Sequence, residues 1–301
     1  MSSAFFSPQP LIRLAFLRVC LPPAILGFLS LRMVHASDWL SVNGFSVPRM
    51  AAGDWRQPLY LAPLQVWQAW ALCGATVAAG TAFCLGLYTR LTGALFAACL
   101  IYLALADRLA AFTVSKLGAV LILALVLTPC GERISLDALR RGSATKTLCT
   151  WGNVRFFQVL LLLFYCLAGL AKVRGDWLRE PNVLFSHLQD SYQTWGAYFL
   201  ARHVPLVVWH GLRWAVMGLE VGAPLWFTLP WTRLPALCAA LGMHAFIGIG
   251  FGPVAWFGLL MGVYVTGAFA PPAWLEAFFA WPRKAARHWF PGNNRGKLTG
   301  G

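Results

Sequence analysis

Residues 156–177 read FFQVLLLLFYCLAGLAKVRGDW. From Phe156 to Ala171 the stretch carries no formal charge, and it closes on Lys172, Arg174 and Asp176. Such a run suits a helix in hydrocarbon, where the backbone must satisfy its own hydrogen bonds, and the charged residues mark the return to water. It is one of eight apolar segments, at about 14–33, 63–87, 91–106, 114–129, 156–171, 206–229, 234–249 and 253–270. The expected fold is an all-α polytopic transmembrane helix bundle of about eight spans. Residues 1–272 would form one membrane domain, followed by an interfacial helix and polar tail over 273–301, since Trp274 to Phe290 mixes Trp, Phe, Arg and Lys.

Composition agrees. Of 301 residues, 59% are hydrophobic and 11% charged, with a mean hydropathy of +0.64; a soluble enzyme carries about a quarter charged residues. An ordinary soluble enzyme is therefore excluded, and no length is left for a second, soluble domain. The formal charge is +14. Because the basic residues gather in particular loops, the expected partner is the lipid bilayer with its anionic headgroups, and nucleic acid is rejected. The eight cysteines form no C-x-x-C pair, and most lie inside apolar runs as small core residues.

Loop charges set the orientation. With an inside N-terminus, 14 of the 24 Lys and Arg fall on the inner side, including the dense clusters Arg133–Arg155 and Arg283–Lys297. The C-terminus is then inside too, and Met33–Ala62, the turn near Asp107 and Lys172–Pro205 face outward, as in a bacterial inner membrane. Cys130 and Cys149 fall inside and should stay reduced. The first segment reads two ways: Arg13 and Arg18 before an apolar core and Val34-His35-Ala36 suit a signal peptide, whereas Pro22-Pro23 and Arg32 suit a retained span.

Several residues could carry chemistry. Lys172 is either a snorkelling anchor or a desolvated amine, and desolvation disfavours the charged form of a lysine. In the sixth segment His210, Arg213, Met217 and Glu220 fall on one helical face. A charged carboxylate within a span costs about 2.5–3.5 kcal/mol on insertion scales, so Glu220 should meet a partner: either Arg213 or Arg233 in a structural pair, or a functional site. His244, in the seventh segment, is a proton carrier or a core histidine. The outer segment from Asp176 to Pro205 is rich in aromatics, as an interfacial belt or as a lid over a lipid-like pocket. His187, His203 and Asp190 have no familiar metal-ligand spacing, so no metal is expected.

The run Ala168-Gly169-x-x-Lys172-x-x-x-Asp176-Trp177, preceded by Gln158 and Tyr165, resembles the signature of the HTTM proteins, the membrane domain shared with vitamin K-dependent gamma-glutamyl carboxylase. Ser135-Leu136-Asp137, Glu220 and His244 are also in keeping with it, and the resemblance extends over roughly residues 11–270. It implies Lys172 as a base, with Glu220 and His244 as catalytic partners. Asp176, Trp177, His210 and Arg213 are the substrate-binding candidates. No cofactor is fixed by the residues; the resemblance implies a quinone or hydroquinone. It also departs: Asp107–Thr113 carries no histidine where the carboxylase has Asn-Asn-His, and the chain stops near its eighth span, without the carboxylase's large lumenal domain.

Three functions stay open. One is an enzyme modifying an exported peptide or a lipid-soluble quinone-like substrate at the outer face, of a carboxylase/lyase-like or oxidoreductase-like kind. Another is a non-catalytic membrane subunit that matures, presents or exports a small secreted peptide. The third is a transporter around Glu220 and His244, which the lack of repeated halves disfavours.

Overall fold

Each of the eight apolar segments folds as a helix, because a chain in hydrocarbon closes its backbone bonds locally. In this computed structural model residues 6–45, 59, 61–107, 112–142, 146–190, 193–252 and 254–289 are described, with side chains described through residue 280. The polar tail Gly292–Gly301, the side chains of Arg283, Lys284 and Arg287, Tyr192, residues 46–58 and 60 of the Met33–Ala62 loop and most of the Asp107–Thr113 turn lie outside them.

The helices of the apolar segments are α1 (Ile12–Met33), α3 (Val66–Leu85), α4 (Thr89–Ala106), α5 (Thr113–Val126), α7 (Trp151–Arg174), α10 (Leu206–Val221), α12 (Arg233–Gly250) and α13 (Ala255–Phe269). Between them lie shorter helices: α2 (Ala36–Leu40), α6 (Leu136–Arg141), α8 (Val183–Leu188), α9 (Trp195–His203) and α11 (Ala223–Trp226). The segment expected as one span over 206–229 is thus divided at Gly222 into α10 and α11. Amphipathic α14 (Pro272–Trp289) turns away from α13, with 117° between α13 and its first part.

Among the described residues, five helices are long and apolar enough to cross a membrane, or six if α13 and the start of α14 count as one bent span. At 14 residues α5 rises about 21 Å, short of the roughly 30 Å of hydrocarbon, so helix length alone does not give a count of eight. Large apolar side chains face outward along the bundle, Trp67 and Leu91 at 70% exposure and Leu127 at 79%. A surface of this kind is stable against lipid and not against water. The chain is a multi-pass integral membrane protein.

α1 occupies the centre, packed against α3, α5 and α13. The first segment is thus part of the packed core, with most of its residues buried. Short strands β1 (Gln9–Pro10) and β2 (Leu148–Cys149) pair antiparallel and tie the chain before α1 to the loop before α7. A buried arginine makes α1's position specific. Arg18 is 0% exposed and donates to the carbonyls of Cys130 (3.2 Å), Phe83 (3.0 Å), Cys84 (2.5 Å) and Ile134. Phe83 and Cys84 end α3, where the carbonyls carry partial negative charge, so the guanidinium's hydrogen bonds all go to backbone oxygens. The turn that follows needs glycine: Gly86 has φ +71, and a Cβ there would lie 2.6 Å from Arg18 Nη1.

The loop after α5 is fixed by Asp137. Its Oδ1 accepts from Tyr88 N (2.9 Å) and its Oδ2 from Thr89 N (2.8 Å) and Thr89 Oγ1 (2.7 Å), capping α4 from a distant segment. Burial alone would raise this carboxyl's pKa, but the bonds from Thr89 and Tyr88 hold it below the ordinary carboxylate range. They also hold Tyr88 at φ 46, in the left-handed region that non-glycine residues seldom adopt. Cys130 and Cys149 are free thiols.

Candidate functional site

Lys172 sits in the last turn of α7 and Glu220 in the last turn of α10. One turn before Lys172, Gly169 lets the two helices approach: a Cβ at this position would meet Val221 N at 2.7 Å and Glu220 Cβ at 3.0 Å. The close approach brings the charges together. Lys172 Nζ donates to Glu220 Oε1 at 2.8 Å and Oε2 at 2.6 Å, a two-pronged ion pair. The lysine side chain is 22% exposed and that of the glutamate 8%. The indole of Trp177 lies 5.2 Å from Nζ, adding a cation–π contact.

The pair opens onto a cavity of about 620 Å³ walled by α10 and α12 with the outer segment, and its surface is mostly apolar, including Leu212, Leu219, Met243, Phe246 and Phe257. The polar groups reaching it are few: Lys172, Glu220, Trp177, His187 and Asp190. A cavity of this size with convergent polar groups at one wall matches the general form of a small-molecule site.

A second polar pair lies nearby. Tyr165 Oη and His244 Nε2 are 2.7 Å apart, with the donor set by the imidazole tautomer. The Tyr165 ring stacks on Phe227 at 6.1 Å, while Phe257, a cavity residue, meets the His244 ring edge-on at 6.3 Å. His244 Nδ1 is buried and makes no hydrogen bond. Tyr165 and Lys172 are seven residues apart on α7 and share a face, so α7 carries one member of each pair.

The sequence candidates thus separate. Lys172, Glu220 and Trp177 come together at the cavity, and His244 stands behind its wall through Tyr165. Asp176 does not reach the cavity: its side chain is exposed, and its carbonyl closes the turn by accepting from Arg179 N and Glu180 N. His210 bonds Asn182 Oδ1 at 2.9 Å, and Arg213 donates to the Glu180 carbonyl at 2.9 Å, so both fasten the outer segment to α10. The expected structural partners of Glu220 are corrected as well. Arg213 donates to the Glu180 carbonyl, and Arg233, at the start of α12, donates to the Phe227 and Thr228 carbonyls just after α11. Three residues were not singled out as site candidates: Tyr165, whose spacing from Lys172 could have shown it, and His187 and Asp190, considered only as metal ligands.

Comparison with known families finds the HTTM domain over residues 29–274, well over half of the chain. The chain belongs to the HTTM family. HTTM is the domain of vitamin K-dependent carboxylase-like proteins. Neither curated proteins nor solved structures give a match. Within this HTTM domain Lys172, Glu220, Tyr165 and His244 all fall inside the matched range.

Proposed function

We propose that this HTTM protein binds an exported peptide or a lipid-soluble, quinone-like molecule in the Lys172 cavity and removes a proton from it, with Lys172 as the base and Glu220 as its partner. The observation that carries this reading is the ion pair at one wall of an otherwise apolar cavity. A proton shifted from Nζ to Oε2 across 2.6 Å leaves the pair uncharged overall, and the vacated lone pair can then take a proton from a bound substrate. In an apolar setting the uncharged pair escapes the desolvation cost of two ions. Trp177 covers the amine, and Tyr165–His244 holds α7 against α12. A quinone or hydroquinone is the cofactor class that family membership suggests for such a cavity.

The reading includes eight spans with both termini inside, residues 1–272 as the membrane domain, and α14 in the inner leaflet boundary. The cavity then faces outward from a bacterial cytoplasmic membrane. A second reading has its own support: Lys172 and Glu220 neutralise each other, as a staple between helices would, which suits a non-catalytic subunit that matures, presents or exports a peptide.

Co-expression with a small secreted precursor encoded beside this chain separates the two. Catalysis predicts a discrete mass change in the exported peptide, or in the membrane quinone pool, that depends on Lys172. Export of a peptide with unchanged mass and an unchanged quinone pool would favour the presenting subunit.

A further inference from the structure

A second cavity, of about 540 Å³, lies at the other end of the bundle from Lys172, walled by the start of α4, the loop after α5, and α6. β1 and β2 hold the chain before α1 beside the start of α7, and Arg18 in α1 bonds the Cys130 and Ile134 carbonyls of that loop. From the start of α7 to Lys172 the helix rises roughly 30 Å, and the two cavities share no residue. They are separate sites.

Three guanidiniums border the second cavity, those of Arg90, Arg140 and Arg141. They come from distant parts of the chain, and Asp137 fixes their relative places. It sits on α6 with Arg140 and Arg141, accepts from the Tyr88 and Thr89 amides, and donates its own N–H to the Gly86 carbonyl at 2.9 Å, which seats α6 against the turn before Arg90. The two carboxylates on the cavity are already engaged: Asp137 by those amides and Thr89 Oγ1, Glu132 by Lys146 at 2.6 Å. The guanidiniums keep donors to spare. Arg140 gives one hydrogen bond, to Tyr88 Oη at 3.2 Å, and lies 4.8 Å from that ring; Arg141 gives one, to the Gly131 carbonyl at 3.3 Å. Each carries five N–H groups. Arg90 is exposed and, among the described residues, makes no hydrogen bond or ion pair.

We propose that this cavity binds the phosphate group of an anionic phospholipid. Guanidinium forks match phosphate oxygens in pairs, and a basic pocket among membrane helices is a general form of anionic-headgroup site. The lipid source follows from the wall beside the arginines. Leu91 lines the cavity and Leu127 directly precedes Thr128 in its wall, and both are exposed apolar side chains at the ends of α4 and α5. A headgroup held by Arg90 and Arg141 lays its acyl chains along them, whereas free phosphate would use the arginines alone.

The test uses the full chain, purified and delipidated in dodecyl maltoside. Thermal unfolding is followed with added phosphatidylglycerol, with phosphatidylcholine, or with glycerol 1-phosphate, which carries the phosphate without acyl chains. Saturable stabilisation by phosphatidylglycerol, and by neither of the others at the same concentration, is expected. Arg90→Gln breaks no bond in the structure, so without lipid it should unfold with wild type, yet it should need about tenfold more phosphatidylglycerol for the same shift, the loss of one charge-assisted contact. Arg202→Gln, on α9 at the other end of the bundle, should need no more than wild type. Should Arg90→Gln fail to fold, phenylglyoxal labelling of the wild type decides: phosphatidylglycerol should protect Arg90 and Arg141 from modification, read by mass spectrometry. No stabilisation by phosphatidylglycerol, or equal stabilisation by phosphatidylcholine or glycerol 1-phosphate, would overturn the proposal. So would equal lipid responses of Arg90→Gln and wild type, an equal weakening in Arg202→Gln, or labelling of both arginines unaffected by the lipid.

Discussion

Removing one partner of the Lys172–Glu220 pair should cost far more than removing both. Lys172→Met leaves Glu220, 8% exposed and bonded in two prongs, facing an apolar wall. Breaking a buried pair from one side costs about 3–5 kcal/mol, and the 22% exposure of the lysine places this case near 3. Glu220→Gln leaves an ammonium on a flexible stem that can swing toward the headgroups, so about 1–2 kcal/mol is expected. Lys172→Met with Glu220→Gln leaves no charge behind and should lie within about 1 kcal/mol of wild type, because exchanging a buried ion pair for uncharged groups of similar volume is close to neutral. The assay is reversible unfolding in mixed micelles of dodecyl maltoside and dodecyl sulfate, followed by circular dichroism. A coupling of about 3–5 kcal/mol between the two changes is the expected result. If the double variant loses the sum of the single losses to within about 0.5 kcal/mol, the residues do not act on each other and the pairing of α7 with α10 is wrong.

Two further perturbations probe what holds the site. Gly169→Ala puts a methyl group 2.7 Å from Val221 N and should cost about 1–3 kcal/mol as α7 and α10 are forced apart, measured by the same unfolding assay; a variant as stable as wild type would show that the helices are not in contact there. Asp137→Asn should cost about 1 kcal/mol near neutral pH by weakening the cap on α4. Because the Asp137 pKa is lowered in the fold, its contribution is fully present above the ordinary carboxylate range and is lost as pH falls through the folded value. The difference between variant and wild type should therefore shrink in acid, and a difference that grows there would contradict the cap.

The helices were legible because charge-free runs leave the backbone no alternative in hydrocarbon; 91–106 corresponds to Thr89–Ala106 and 234–249 to Arg233–Gly250. Residues at their ends were less so. Trp151–Arg155 belongs to α7 although it is polar enough to read as loop. The pairing of Glu220 with Lys172 came from the family resemblance and not from periodicity. Periodicity compares residues within one helix and so offered Arg213, whereas Lys172 is 48 residues away and reaches Glu220 only because Gly169 carries no side chain. His210 and Arg213 do share the face of Glu220, but toward the start of α10 that face meets the outer segment, so their partners are Asn182 and Glu180.

The central claim is that Lys172 acts through a proton it can lose. Lys172→Arg keeps a positive charge and a long apolar stem, yet a guanidinium, with a pKa of about 12 or more, does not give up its proton near neutral pH. With the variant expressed beside its precursor at wild-type levels in the membrane, the mass change in exported peptide or quinone pool should disappear as fully as with Lys172→Ala. A mass change retained at wild-type extent in Lys172→Arg would contradict the account, since the position would then need only a cation.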